Sequence, residues 1–117
     1  SGVYHYIESE HKLLYINDND VRSSLGTQQM MKSAPFGIIY VGDFSKKTGI
    51  IKTDYGQKMF VAGTESGAMS QNIYLYSTAA GLNTVLIGLV NREKLRKLID
   101  LKDSQIIVYT QIVGQSI

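Results

Sequence analysis

Two apolar runs separated by a polar stretch open the chain. Val3-Tyr4-His5-Tyr6-Ile7 is β-branched and aromatic, and Lys12 to Ile16 is a second such run. The polar stretch Glu8-Ser9-Glu10-His11 between them predicts a hairpin. Asn17-Asp18-Asn19-Asp20 breaks the pattern, and Asn19 or Asp20 can cap a short helix through Leu25, stopped at Gly26. Thr27 to Ser33 reads as a helical turn closed by Pro35. Phe36 to Val41 is nearly continuous apolar sequence and predicts a strand buried on both faces. Gly42 to Thr53 is polar and rich in Lys, Gly and Thr, as a surface loop would be. From Gln57 to Ala80 the spacing becomes helical, with Phe60, Gly63, Gly67, Met69, Ile73, Tyr76 and Ala80 recurring at threes and fours. Gly81 supplies the stop. Two glycines inside such a helix cost roughly 1 kcal/mol each relative to Ala, tolerable where something packs closely against them.

Asn83 to Leu89 reads as a strand with an interrupting glycine. Asn91 can cap a helix through Asp100, with Glu93 in the first turn, Leu95, Leu98 and Ile99 as the apolar stripe, and Lys94, Arg96 and Lys97 toward solvent. Gln105 to Val113 is the last strand, ended by Gly114. The order is hairpin, short helix, strand, long helix, strand, helix, strand. It implies one α+β domain over residues 1–117, with a parallel crossover permitted after the long helix.

Composition narrows the function classes. A length of 117 residues, 44% of them hydrophobic, suits a single domain with a real core. The net charge of +2 is spread along the chain, unlike the concentrated basic face of a nucleic-acid binder. No apolar run approaches the roughly 18 residues of a membrane span. Cysteine is absent, which removes disulfides, thiolate metal sites and cysteine nucleophiles together. Ser1-Gly2 leads straight into strand-like sequence, so a segment upstream is expected.

Few residues suggest chemistry by themselves. No Walker loop, dinucleotide-binding glycine motif, His-Glu-x-x-His or Gly-x-Ser-x-Gly is present. His5 and His11 flank a turn without further ligands nearby, so they read as strand and loop histidines. Glu8, Glu10, Asp18 and Asp20 lack calcium-loop spacing and read as solvated turn acids. Lys94, Arg96, Lys97 and Lys102 form a small basic cluster, read as a solvent face. Tyr74 and Tyr76 on the long helix read as core or interface residues with a wet tip. Gly63-x-x-x-Gly67 marks close packing, either within the core or between subunits.

The stretch from Glu65 to Gly114 resembles the C-terminal half of a nitroreductase. Ser66-Gly67-Ala68-Met69-Ser70-Gln71-Asn72-Ile73-Tyr74-Leu75-Tyr76 resembles the long central helix of that family. Ala79-Ala80-Gly81-Leu82-Asn83-Thr84-Val85, then Leu86-Ile87-Gly88-Leu89, then the helix from Asn91, follow in family order. Gln105 to Gly114 looks like the closing strand. Gly2-Val3-Tyr4-His5-Tyr6 and the step from Ala34-Pro35 into FGIIYV look closest to the branch that includes SagB-type dehydrogenases.

The resemblance implies a nitroreductase-like α+β fold, a mixed and largely antiparallel sheet packed with helices, incomplete at its N-terminus. It implies an FMN-dependent NAD(P)H oxidoreductase that passes hydride through bound flavin to an organic acceptor. It further implies a homodimer with FMN at the subunit interface, no metal, no nucleic acid and no membrane, with a cytoplasmic location favoured. The protein then supplies binding, orientation and electrostatics, so no catalytic side chain is required. The residues that match the flavin-ring contact are Leu86, Ile87, Gly88 and Leu89. Leu89 stands where the family often has glycine. The family's N-terminal Arg/Ser grip, and the basic residue many members place after the closing strand, have no counterpart in this sequence. A dimerisation or binding module that holds no flavin is therefore the alternative.

Overall fold

The computed structural model describes residues 2–27, 33–45 and 54–115. Strand β1 (Val3–Ile7) pairs antiparallel with β2 (Lys12–Asn17) as a separate two-stranded hairpin. Its turn closes through bonds from Glu10 N to Ile7 O and from His11 N to Glu8 O, both 3.3 Å. Beyond it the described residues make a 3-10 turn, Arg22–Ser24, in place of a short helix through Leu25. Asp20 does not cap a helix there. Its carboxylate instead accepts from the Arg22 backbone N–H (3.3 Å) and from Nε and Nη2 of the Arg22 guanidinium (2.9 and 2.7 Å). The turn expected over Thr27 to Ser33 falls largely outside the described residues.

Strands β3 (Phe36–Asp43), β4 (Asn83–Ile87) and β5 (Gln105–Gly114) form the main sheet in the order β3-β5-β4. Both pairings are antiparallel, so the crossover permitted by the sequence does not join β4 to β5. β3 and β4 run parallel to each other with β5 inserted between them. β3 is thus an edge strand in this sheet. It is not buried on both faces: Phe36 is 57% exposed, Val41 is exposed, and only Tyr40 is buried. The strand also takes in Gly42 and Asp43, which the sequence had placed in a loop. Residues 46–53 of that loop lie outside the description.

The register contains one irregularity. Tyr40 faces Tyr109 and Val41 faces Ile107, which leaves Val108 as an extra residue in β5. Without this bulge, Ile107 and Ile112 would point to opposite faces of the sheet. With it, both enter the same core, with Leu25, Ala34, Val90, Leu95 and Ile99.

Helix α1 (Tyr55–Ala80) begins two residues earlier than its apolar spacing suggests, because Asp54 caps it by accepting from Gln57 N. Gly81 ends it at φ 73°, the left-handed conformation that glycine adopts without penalty. Its buried residues are Ala62, Ser66, Ser70 and Ser77. The expected stripe lies mostly outward, with Phe60 at 75% and Tyr76 at 68% exposure. A face of small residues lets the helix lie close to the sheet, whereas the large apolar residues point away from it.

Helix α2 (Arg92–Leu98) is capped by Asn91, whose side chain accepts from Lys94 N at 3.2 Å. It stops short of Asp100, which sits at φ 57°. Asn17 and Asn19 donate to the Leu98 carbonyl at 2.9 and 2.8 Å and so tie the hairpin's end to the helix. Leu95 and Ile99 enter the core as expected. Among the described residues, no helix is long and apolar enough to cross a membrane.

Candidate functional site

Leu86, Ile87, Gly88 and Leu89 straddle the end of β4. Leu86 is half-buried, and its N–H donates to the Tyr74 hydroxyl at 2.8 Å. That bond protects an edge-strand amide and removes it from reach of a ligand. Ile87 packs against the core cluster. Gly88 and Leu89 come after the strand, and Leu89 is 72% exposed. A Cβ at Gly88 would meet only the Tyr109 ring, at 3.8 Å, an ordinary contact. The structure therefore divides the four residues: Leu86 and Ile87 anchor the segment, and Gly88 and Leu89 present an open surface.

Beneath this segment a buried polar seam runs between α1 and the sheet. Tyr40 OH donates to Gln111 Oε1; Gln111 Nε2 donates to Thr84 Oγ1 at 2.9 Å; and Thr84 Oγ1 donates to Ile112 O at 2.7 Å. Burial raises the Tyr40 phenol above its ordinary value, with the nearby Ser70 hydroxyl opposing and Tyr74 adding to the shift. A phenol held neutral in this way serves as a hydrogen-bond donor, so the seam is a fixed scaffold under β4.

The other feature at the segment is Arg92. It occupies the first position of α2, where the helix dipole disfavours a cation. Its guanidinium is compensated by three backbone carbonyls. Nε donates to Ile107 O at 3.1 Å, and Nη2 donates to Val108 O at 2.7 Å and to Gly88 O at 3.1 Å. β4 pairs only with the second half of β5, so the first half needs other partners on that edge. Arg96 continues the same service, donating to Gln105 O at 3.2 Å and to Lys102 O at 3.0 Å. Arg96 is therefore not the solvent residue that the basic cluster suggested. Sequence reasoning missed Arg92 and misread Arg96. For Arg92, a cation at the first turn of a short helix was the available signal.

A groove of about 440 Å³ opens alongside, lined by Tyr55, Met59 and Gly63 of α1, Arg92 of α2 and Tyr109 of β5. That volume is enough for a small organic molecule. His11 Nδ1 hydrogen-bonds the Tyr6 hydroxyl at 2.9 Å. Among the described residues, no three His, Asp or Glu side chains gather as metal ligands.

Comparison with known proteins places this geometry. The chain is 30% identical over 107 residues to a Methanocaldococcus jannaschii protein provisionally named as a nitroreductase, covering 87% of this chain and 52% of that one. It thus spans about half the length of this relative. The crystal structure of a protein from Ralstonia eutropha, also provisionally named as a nitroreductase, superposes with a TM-score of 0.87 at 27% identity, over 99% of this chain and 54% of the other. The Escherichia coli microcin synthetase McbBCD complex, solved with truncated pro-MccB17 bound, shares the fold at a TM-score of 0.79 and 23% identity, over 95% of this chain and 43% of its own. The family model described as the nitroreductase family matches residues 5–115, and the chain accordingly belongs to the nitroreductase family.

Proposed function

We propose that this chain is the C-terminal portion of an FMN-dependent NAD(P)H oxidoreductase of nitroreductase type, in the branch that includes SagB-type dehydrogenases. The observation that carries the reading is the open Gly88–Leu89 surface at the end of a rigid strand, in a chain of this family. The fit to a flavin is partial and local. A glycine with free space above it lets a flat ring approach the main chain, and the exposed Leu89 side chain supplies apolar contact. Leu86 and Ile87 hold that wall in place from behind. Arg92 spends Nε and Nη2 on carbonyls and so braces the segment.

Bound FMN would accept hydride from NAD(P)H and pass electrons to an organic acceptor. The residues of this chain orient the ring and exclude water from one face of it. The pocket is completed by a second copy of the protein, packed along α1. Phe60, Met69, Leu75 and Tyr76 are exposed on that helix, and a Cβ at Gly63 or Gly67 would touch nothing within 4 Å among the described residues.

Titrating the full-length protein with FMN tests the reading. A stoichiometric yellow complex, bleached anaerobically by NADH or NADPH, is the expected result. Absence of flavin uptake by the full-length protein would sink it and favour a module that binds no flavin.

A further inference from the structure

We propose that Arg92 is a positioning residue for the ligand-facing peptide between Gly88 and Leu89. The proposal rests on the reading that flavin lies against this segment. A glycine at the end of a strand leaves the peptide that follows it free to rotate. Here that freedom is removed from outside the segment. One nitrogen of Arg92 bonds the Gly88 carbonyl and the Val108 carbonyl together, while Nε holds Ile107 O. The Gly88 carbonyl is thereby fastened to the bulge of β5, the part of the sheet set by pairing with β3.

Peptide geometry carries the consequence outward. In a trans peptide the carbonyl and the following N–H point in opposite directions. Fixing the Gly88 carbonyl toward Arg92 therefore aims the Leu89 N–H away from the guanidinium. A donor held in one direction before the ligand arrives costs no reorganisation on binding. Released from Arg92, the same peptide would sample several orientations, and the donor would be aimed only part of the time.

Arg96 provides the internal control. It bonds two β5-side carbonyls as Arg92 does, but its partners are Gln105 and Lys102, away from Leu86–Leu89. If Arg92 served only to satisfy the strand edge, removing either arginine would have the same outcome.

The experiment compares Arg92→Met, Arg92→Lys and Arg96→Met in the full-length protein. Three measurements are made: FMN dissociation constant, flavin midpoint potential, and the NMR order parameter of the Leu89 N–H in flavin-free protein. Arg92→Met is expected to weaken FMN binding about tenfold, as for loss of one charge-assisted hydrogen bond. It should also shift the potential and lower the Leu89 order parameter. Arg92→Lys, which can keep one bond but not the planar fork, should fall between, and it substitutes for Arg92→Met if that variant does not fold. Arg96→Met should leave all three readouts near the unmutated values. Equal effects of Arg92→Met and Arg96→Met, or unchanged binding and an unchanged Leu89 order parameter in Arg92→Met, would overturn the proposal while leaving the flavin reading intact. If the unmutated protein takes up no FMN, the flavin reading fails, and the Leu89 order parameter alone decides whether Arg92 fixes the peptide.

Discussion

Two single residues illustrate how local chemistry sets tolerance to change. A Cβ at Gly37 would lie 2.2 Å from Leu25 Cδ1, and Leu25 is buried in the core with no room to retreat. Gly37→Ala is therefore expected to destabilise by about 1–3 kcal/mol, the usual cost of overpacking. Urea unfolding measures it, and pairing with Leu25→Ala should recover part of the loss if the clash is the cause. Asp20 concerns charge. The Arg22 guanidinium and backbone N–H bonded to its carboxylate hold its pKa down to about 2. A depressed folded value means this contact contributes fully above the ordinary value of 3.8 and is lost as pH falls toward about 2. An NMR titration of the Asp20 carboxyl should show the low midpoint, and Arg22→Gln should return it toward the ordinary value. An Asp20 midpoint already near its ordinary value in the unmutated protein would show that the pair is not formed in solution.

At the scale of elements, Tyr74 holds an edge. Its hydroxyl is the partner of Leu86 N–H, so Tyr74→Phe should cost about 1 kcal/mol and speed exchange of the Leu86 amide specifically. Protection at Leu86 unchanged by the substitution would refute that role. Much of the element order was legible in the sequence, because period and punctuation carry it: the hairpin turn at Glu8–His11, the stop at Gly81 and the cap at Asn91 all appear where those residues put them. What was illegible arises from pairing between distant segments. The bulge at Val108 inverts the facing of half of β5, and nothing in the local sequence announces it. The helix α1 misled for a related reason. Its apolar residues recur at helical spacing, but the face against the sheet is built from Ala62, Ser66, Ser70 and Ser77, whose small size permits close approach. The candidate site was legible only as the segment Leu86–Leu89. Its anchors, Tyr74 and Arg92, are 12 and 4 residues from the groups they bond and become visible only once the strand is in place.

For the molecule as a whole, the outward face of α1 sets the expectation. A helix that shows Phe60, Met69, Leu75 and Tyr76 to solvent, while small residues face the sheet, is expected to be covered on its outward side as well. Gly63 and Gly67 sharpen this. Core packing and subunit packing were both open from the sequence, and within the described residues a Cβ at either position meets nothing. Among the described residues, nothing packs against them to recover their cost to the helix. The two roles of these glycines predict effects of opposite sign. Gly63→Ala and Gly67→Ala should each raise the helix's intrinsic stability by roughly 1 kcal/mol. Gly67→Leu should hold the backbones of two packed copies apart and weaken self-association sharply, without lowering the unfolding midpoint of the separated chain. Light scattering at micromolar concentration, read beside thermal melts across a dilution series, separates the two effects. A monomeric mass for the unmutated protein would count against self-association along α1. Full association of Gly67→Leu would place the contact on another surface, where Tyr4, Leu13 and Tyr15 of the hairpin are the next exposed apolar group.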